Sequence, residues 1–274
     1  MRIAIVAPSS RFSEEAAARV REIAAAHFPG VELFFHPQCF LTHNHFAGTD
    51  QARADALVEV ADDPAFDAIW FARGGYGACR IAEDVIGRLG PAARDKTYLG
   101  YSDAGYLLAG LYRAGFKDLA HGPLPQDAMR EGGKAAVVRA LGWLVEDNPA
   151  SLEPGLKPGM RHAAFNITVF GLLLGTPLEP DLSGHVLLLE DVSEHDYRID
   201  RAMFHITATP SVRRLAGIRL GRVSDVPAND PDFGEDAEAI VRHWCARADI
   251  PFLGRADIGH DAANTVVPFG LPPL

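Results

Sequence analysis

The sequence predicts an α/β protein in two parts: a parallel sheet covered by helices on both faces, then a smaller β-rich domain. Three observations carry this. Short apolar runs alternate with helical patterns through the first half, the signature of strands buried on both faces. From Asn148 to His162 the chain is poor in apolar residues and broken by Pro149, Pro154, Gly155, Pro158 and Gly159. Beyond it come short apolar runs between Gly/Pro turns, with two helical patterns among them. Domains are therefore expected at 1–140 and 166–274, joined by a linker at 141–165.

Taken in order, Ile3 to Ala7 is a strand ended by Pro8-Ser9-Ser10, and Ser13 caps an Ala-rich helix running to His27. Val31 to His36 reads as a second strand. Asp50 opens a helix carrying Ala52, Ala56, Leu57 and Val60. Phe66 to Ala72 is a third strand, turning through Gly74-Gly75-Tyr76-Gly77 into a helix with Ile81, Val85, Ile86 and Leu89. Thr97 to Tyr101 is a fourth, followed by a helix from Ala104 to Ala114. In the second half the apolar runs are Val169 to Leu174, His185 to Glu190, Ile218 to Val223 and Thr265 to Phe269. The two helices there cover about Ile199 to Ala208 and Glu235 to Ala248, the latter with Ala237, Ile240, Val241, Trp244 and Cys245 on one face.

Of the 274 residues 48% are apolar, which excludes intrinsic disorder. The net charge of −10 argues against nucleic acid or an anionic membrane as partner. No run reaches the ~18 apolar residues of a membrane span, and the first strand is too short for a signal-peptide core. Three widely spaced cysteines, Cys39, Cys79 and Cys245, form neither a disulfide framework nor a zinc motif, so a reduced, cytoplasmic setting is expected.

Two turns can carry chemistry. In Gly100-Tyr101-Ser102-Asp103-Ala104 a strand reaches a serine and a helix begins at once. Small residues two places to either side are what a nucleophile elbow requires, because the reversal is so tight that larger side chains would collide. The helix start would aim N–H groups and positive dipole beside the serine, although a plain Ser helix cap has the same local pattern. In Arg73-Gly74-Gly75-Tyr76-Gly77 paired glycines let the backbone approach a ligand. The spacing matches neither G-x-G-x-x-G nor G-x-x-x-x-G-K-[ST], which leaves an oxyanion-hole donor, a phosphate cradle or a simple positive-φ turn.

A serine nucleophile needs a base. Among eleven histidines, His260 in the polar loop Asp257-Ile258-Gly259-His260-Asp261 is the first candidate, and His121 in His121-Gly122-Pro123 is its rival. Glu190, ending the apolar run Val186 to Leu189, is the candidate to orient the imidazole, since a carboxylate there needs a partner. That partner could instead be Arg198 or Arg201. His43, His45 and Asp50 are weak evidence for a metal, and Cys79 and Cys245 read as core.

These segments together resemble the LD-carboxypeptidase family of serine peptidases, which also holds microcin C-degrading peptidases. The resemblance rests on Ala7-Pro8-Ser9-Ser10, Ala72 to Gly77, Gly100 to Asp103, His121-Gly122-Pro123, Gly175-Thr176-Pro177, Leu189 to Val192 with Tyr197 to Arg201, and Gly259-His260 before Val267 to Gly270, in the family's order. It implies a flavodoxin-like N-terminal domain bearing a nucleophile at Ser102 and a β-rich C-terminal domain bearing Glu190 and a base at His260. It also implies an oxyanion hole from N–H groups of Asp103 and the Gly74-Gly75 turn, no metal or organic cofactor, and a homodimer. The implied reaction releases terminal D-alanine from a murein tetrapeptide in peptidoglycan recycling. Such a reaction needs a group to bind the free terminal carboxylate, for which Arg73 beside the glycine turn is the candidate, with Tyr76 and Tyr101 as further substrate contacts.

The sequence departs from the family where Ala164-Phe165-Asn166-Ile167 replaces a Gly-Gly-Asn-Leu segment and where Ala104-Gly105 follows Ser102-Asp103. Both bear on the substrate, and neither touches Ser102, Glu190 or His260. A microcin-type amidase, an α/β-hydrolase esterase and a non-catalytic nucleotide-binding module remain the competing functions at this level.

Overall fold

The structure, a computed structural model, describes residues 1–272. In chain order its elements are β1 (Arg2–Val6), α1 (Glu14–His27), β2 (Glu32–Phe35), α2 (Asp50–Asp62), β3 (Ala68–Phe71), α3 (Ala82–Arg88), β4 (Thr97–Gly100), α4 (Gly105–Arg113) and β5 (Leu119–His121). They continue with α5 (Gly133–Glu146), β6 (Arg161–Asn166), α6 (Ile167–Leu173), β7 (His185–Val192), α7 (Asp196–Ala208), β8 (Gly217–Ser224), α8 (Ala237–Ala248), β9 (Phe252–Arg255) and β10 (Val267–Pro268).

The first sheet has the order β2-β1-β3-β4-β5-β10, with β1 to β5 parallel and β10 antiparallel at the edge. The 2-1-3-4-5 order is that of a doubly wound, flavodoxin-type sheet, whose ligands gather beyond the strands' carboxyl ends. Its central strand β3 is wholly buried, as a continuous apolar run demands. Trp70 from this strand donates its indole N–H to the Pro123 carbonyl at 2.8 Å. Helix α1 starts where expected, its Ala16 N–H donating to the Ser13 hydroxyl, and it buries Ala16, Ala17, Val20, Ile23 and Ala24 against the sheet.

The second half forms a separate four-stranded sheet of order β6-β7-β8-β9, every pair parallel. The apolar run from Val169 to Leu174, expected between turns as a strand, is instead in helix α6. Asn166 caps it by accepting the Val169 N–H at 3.0 Å, and a short run apolar on all sides cannot be told from a buried helix by periodicity. Strands β5, β6 and β9 lie where no strand was expected, being three to six residues long with too little patterning to read.

The run from Thr265 to Phe269 crosses back to the first sheet. Val267 and Pro268 pair with His121 and Ala120, and Phe269 donates its N–H to the Leu119 carbonyl at 2.8 Å. The same ribbon holds the second sheet: His162 N–H donates to Gly270 O at 2.8 Å, and Gly270 N–H returns to His162 O at 2.9 Å. Residues 266–270 thus join both sheets.

Candidate active site

Ser102 follows β4 with φ of +60°, a left-handed conformation that costs an L residue free energy unless its surroundings enforce it. The surroundings are built for that reversal. A methyl on Gly100 would lie 2.7 Å from the Phe71 ring and 3.2 Å from Ala104 Cβ, so the position two before the serine must be bare. A methyl on Gly74 would lie 2.9 Å from both Cβ and Oγ of Ser102. The glycine turn after β3 therefore lies directly over the serine. At Gly75, φ is +99° and an added methyl would strike the Ser10 hydroxyl at 2.2 Å, so neither its conformation nor its space admits a side chain. The buried Asp103 carboxylate holds these loops together, accepting the Ala78 N–H at 2.8 Å and the Ser9 hydroxyl.

Across from Ser102 stands the loop after β9. His260 Nε2 is 3.0 Å from Ser102 Oγ, and His260 Nδ1 is 2.5 Å from Glu190 Oε2. Glu190 ends the apolar part of β7 and is fully buried. Two bare positions allow the loop this approach. A side chain on Gly221 of β8 would meet the Ile258 carbonyl at 2.6 Å, and one on Gly259 would meet Arg222 Cβ at 2.9 Å. Arg222 then clamps the loop through Asp257 and Asp261, the latter at 2.9 Å through Nη2. Burial opposes a charge on His260, but the Glu190 charge and hydrogen bond outweigh it and hold the imidazole above its ordinary value. With Nδ1–H directed at Glu190, Nε2 is left to accept the serine proton.

His121, the rival base, is 1% exposed, lies 3.4 Å from Asn264 Oδ1 and is pushed down to about 4 by burial. Its ring packs on Tyr101 rather than reaching the serine. Glu190 does not pair with Arg198; that arginine sits 3.3 Å from Glu194. His43, His45 and Asp50 do not converge: Asp50 pairs with Arg53 and Arg80, and His45 lies 3.4 Å from the Ser10 hydroxyl.

Ser102 and His260 lie between two cavities. One, of about 400 Å³, is lined by Arg73, Gly74, Tyr101, Gln126, Asp127 and Arg130 among others. The other, of about 220 Å³, is lined by Tyr76, Tyr106, Asn166, Asp191 and Glu194 among others. Tyr76 is half exposed, whereas Tyr101 is buried with its ring 4.8 Å from that of His260. Asp191 is spoken for, accepting from Asn166 Nδ2 at 2.7 Å and Thr168 N at 3.0 Å, and burial followed by the Glu190 charge raises it to about 6. The sequence offers no spacing rule that would find Asp127, Arg130 or Asn166: the first two share the segment between β5 and α5, the third ends β6, and only the fold brings these to one cleft.

A hydroxyl, an imidazole and a buried carboxylate in series, beside a turn of bare backbone, can perform acyl transfer. Residues 3–122 match the model of the LD-carboxypeptidase N-terminal domain, and residues 163–272 match that of its C-terminal domain. The chain belongs to the LD-carboxypeptidase family. It is 32% identical to a Synechocystis protein carrying a carboxypeptidase name, over 88% of this chain and 80% of that one. It is 28% identical to the murein tetrapeptide carboxypeptidase of Pseudomonas aeruginosa, over 98% and 91% of the two chains. The muramoyltetrapeptide carboxypeptidase of Oxalobacter formigenes superposes with a TM-score of 0.81 at 25% identity, covering 97% and 93%. This family member is a serine-type carboxypeptidase built on the two-sheet fold of its relatives.

Proposed function

We propose that this carboxypeptidase hydrolyses the L,D-peptide bond that releases terminal D-alanine from murein tetrapeptide. The observation that carries the chemistry is the unbroken hydrogen-bond chain Glu190–His260–Ser102. The substrate rests on the names of the relatives from Pseudomonas and Oxalobacter.

In this reading His260 Nε2 takes the proton of Ser102 as Oγ attacks the scissile carbonyl carbon. The carbonyl electrons move onto oxygen, where the backbone N–H groups of Asp103 and of the Gly74-Gly75 turn receive them. The intermediate collapses, the C–N bond breaks, and His260 gives its proton to the departing amine of D-alanine. Water, deprotonated by the same imidazole, then releases the acyl group. Glu190 keeps the imidazole in the working tautomer and stabilises the imidazolium. Arg73, Tyr76 and Tyr101 are the substrate contacts in this scheme. The proposal extends to a cytoplasmic homodimer acting in peptidoglycan recycling, which sedimentation of the purified chain tests as to assembly.

Mass spectrometry of a muropeptide mixture tests the reaction: tetrapeptides should lose one alanine mass while pentapeptides persist, and Ser102→Ala should abolish the loss. Cleavage of a microcin-type aminoacyl amide with tetrapeptide untouched would replace the substrate and keep the chemistry.

A further inference from the structure

We infer that Arg130, held in place by Asp127, is the residue that binds the free terminal carboxylate of the substrate. The inference rests on the carboxypeptidase reading above and deepens it, since a carboxypeptidase must distinguish a chain end from an internal bond.

Arg130 lines the larger of the two cavities together with Ser102 and His260. Its Nε donates to Asp127 Oδ1 at 2.8 Å. Asp127 is 1% exposed and also accepts the Tyr101 hydroxyl at 3.1 Å and the Leu124 N–H at 2.8 Å. A buried carboxylate with that many donors is a fixed point, so the guanidinium it holds is oriented before any ligand arrives. The bond to Asp127 is made by Nε, so that pairing does not occupy the two Nη groups of Arg130. Two parallel N–H donors on a rigid plane fit the two oxygens of a carboxylate, which is the geometry a peptide terminus presents.

Arg73, on the same cavity, is held differently. Its Nη1 donates to the Arg11 carbonyl at 3.0 Å on the exposed rim, with no buried carboxylate to orient it. The Arg130 anchor also touches the chemistry. Tyr101, whose hydroxyl shares Asp127 with Arg130, lays its ring against His260. A carboxylate seated on Arg130 therefore meets a unit whose other end positions the base.

The test compares murein tetrapeptide with its C-terminal carboxamide, which keeps the shape and removes the charge. Binding is read on Ser102→Ala protein and turnover on protein with Ser102 intact. The acid should outbind the amide by about a hundredfold, the span of a charge-assisted hydrogen-bond pair. Adding Arg130→Ala should erase the preference, and Arg130→Lys, which keeps charge beside Asp127 without the fork, should leave roughly a tenth of it. Thermal melting of both variants separates a lost contact from a lost fold. Equal binding of acid and amide overturns the inference, as does an acid preference that survives Arg130→Ala. Loss of that preference in Arg73→Ala alone would hand the role to Arg73. If the acid binds through Arg130 and is never cleaved, the anchor stands and the proposed reaction falls. If acid and amide are cleaved equally, the reaction stands and the anchor falls.

Discussion

The carboxylate of Glu190 and the imidazole of His260, seventy positions apart in sequence, meet at 2.5 Å with the carboxylate sealed from solvent. Glu190→Gln keeps the shape and removes the charge. Because Glu190 raises the imidazole against the opposing effect of burial, the acid limb of kcat/KM should lie above the ordinary histidine value of 6.5. In Glu190→Gln that limb should move to lower pH, and kcat should fall roughly a thousandfold as the tautomer is lost. A pH–rate profile with the limb unmoved would contradict this account.

Gly74 leaves no room above Ser102. Gly74→Ala places a methyl 2.9 Å from Ser102 Oγ, so activity should drop by about two orders of magnitude while circular dichroism stays native. Wild-type turnover would show that the turn yields.

The backbone strain at Ser102 is separable from its chemistry. Ser102→Ala retains the positive φ and should melt close to the parent, whereas Ser102→Gly relieves it and should gain roughly 0.5–1 kcal/mol. Both should be inactive. Calorimetry showing Ser102→Gly less stable than Ser102→Ala would refute the strain argument.

His121 is a pH liability rather than a base. Its burial lowers it to about 4, so between pH 6.5 and 4 the unfolded chain takes a proton there that the folded chain refuses. The difference makes stability fall as the pH falls through that window, by about 1.4 kcal/mol per unit for this one group. Denaturant titrations of His121→Gln should show a shallower loss on the acid side, and a slope identical to the parent's would contradict the assignment.

Glu153 and Arg219 form a two-pronged ion pair at 2.6 and 2.9 Å with Glu153 2% exposed, and Glu153 also accepts the Asp257 N–H at 3.1 Å. Arg219→Leu strands that carboxylate and should cost about 3–5 kcal/mol. It should also slow turnover, because Asp257 begins the loop that carries His260. A variant equally active at saturating substrate would break the link between the two.

Much of this was legible before any coordinates. The elbow could be read because a steric rule fixes which residues flank a serine on so tight a turn, and Gly100 and Ala104 obey it. Glu190 could be read because a charge ending the run Val186 to Leu189 has to be met by something. Helix α6 was not legible, since the run Val169 to Leu174 is apolar throughout and carries no period. The run Thr265 to Phe269 was legible but its place in the first sheet was not, because an apolar run does not say which sheet it will join. Arg130 was missed for a different reason. What distinguishes it from Arg73 is the buried Asp127 behind it, a relationship set by tertiary packing.

The ribbon of residues 266–270 is held by hydrogen bonds on both flanks, so neither half of the molecule is complete without it. A piece ending before the second sheet would display β5 as an open edge, and the complementary piece would carry the missing strand already in hand. Made apart and mixed, the two should recognise one another by strand donation. Hydrolysis would then report their reunion, as in a two-part reporter, since the hydroxyl lies on one fragment and the imidazole on the other.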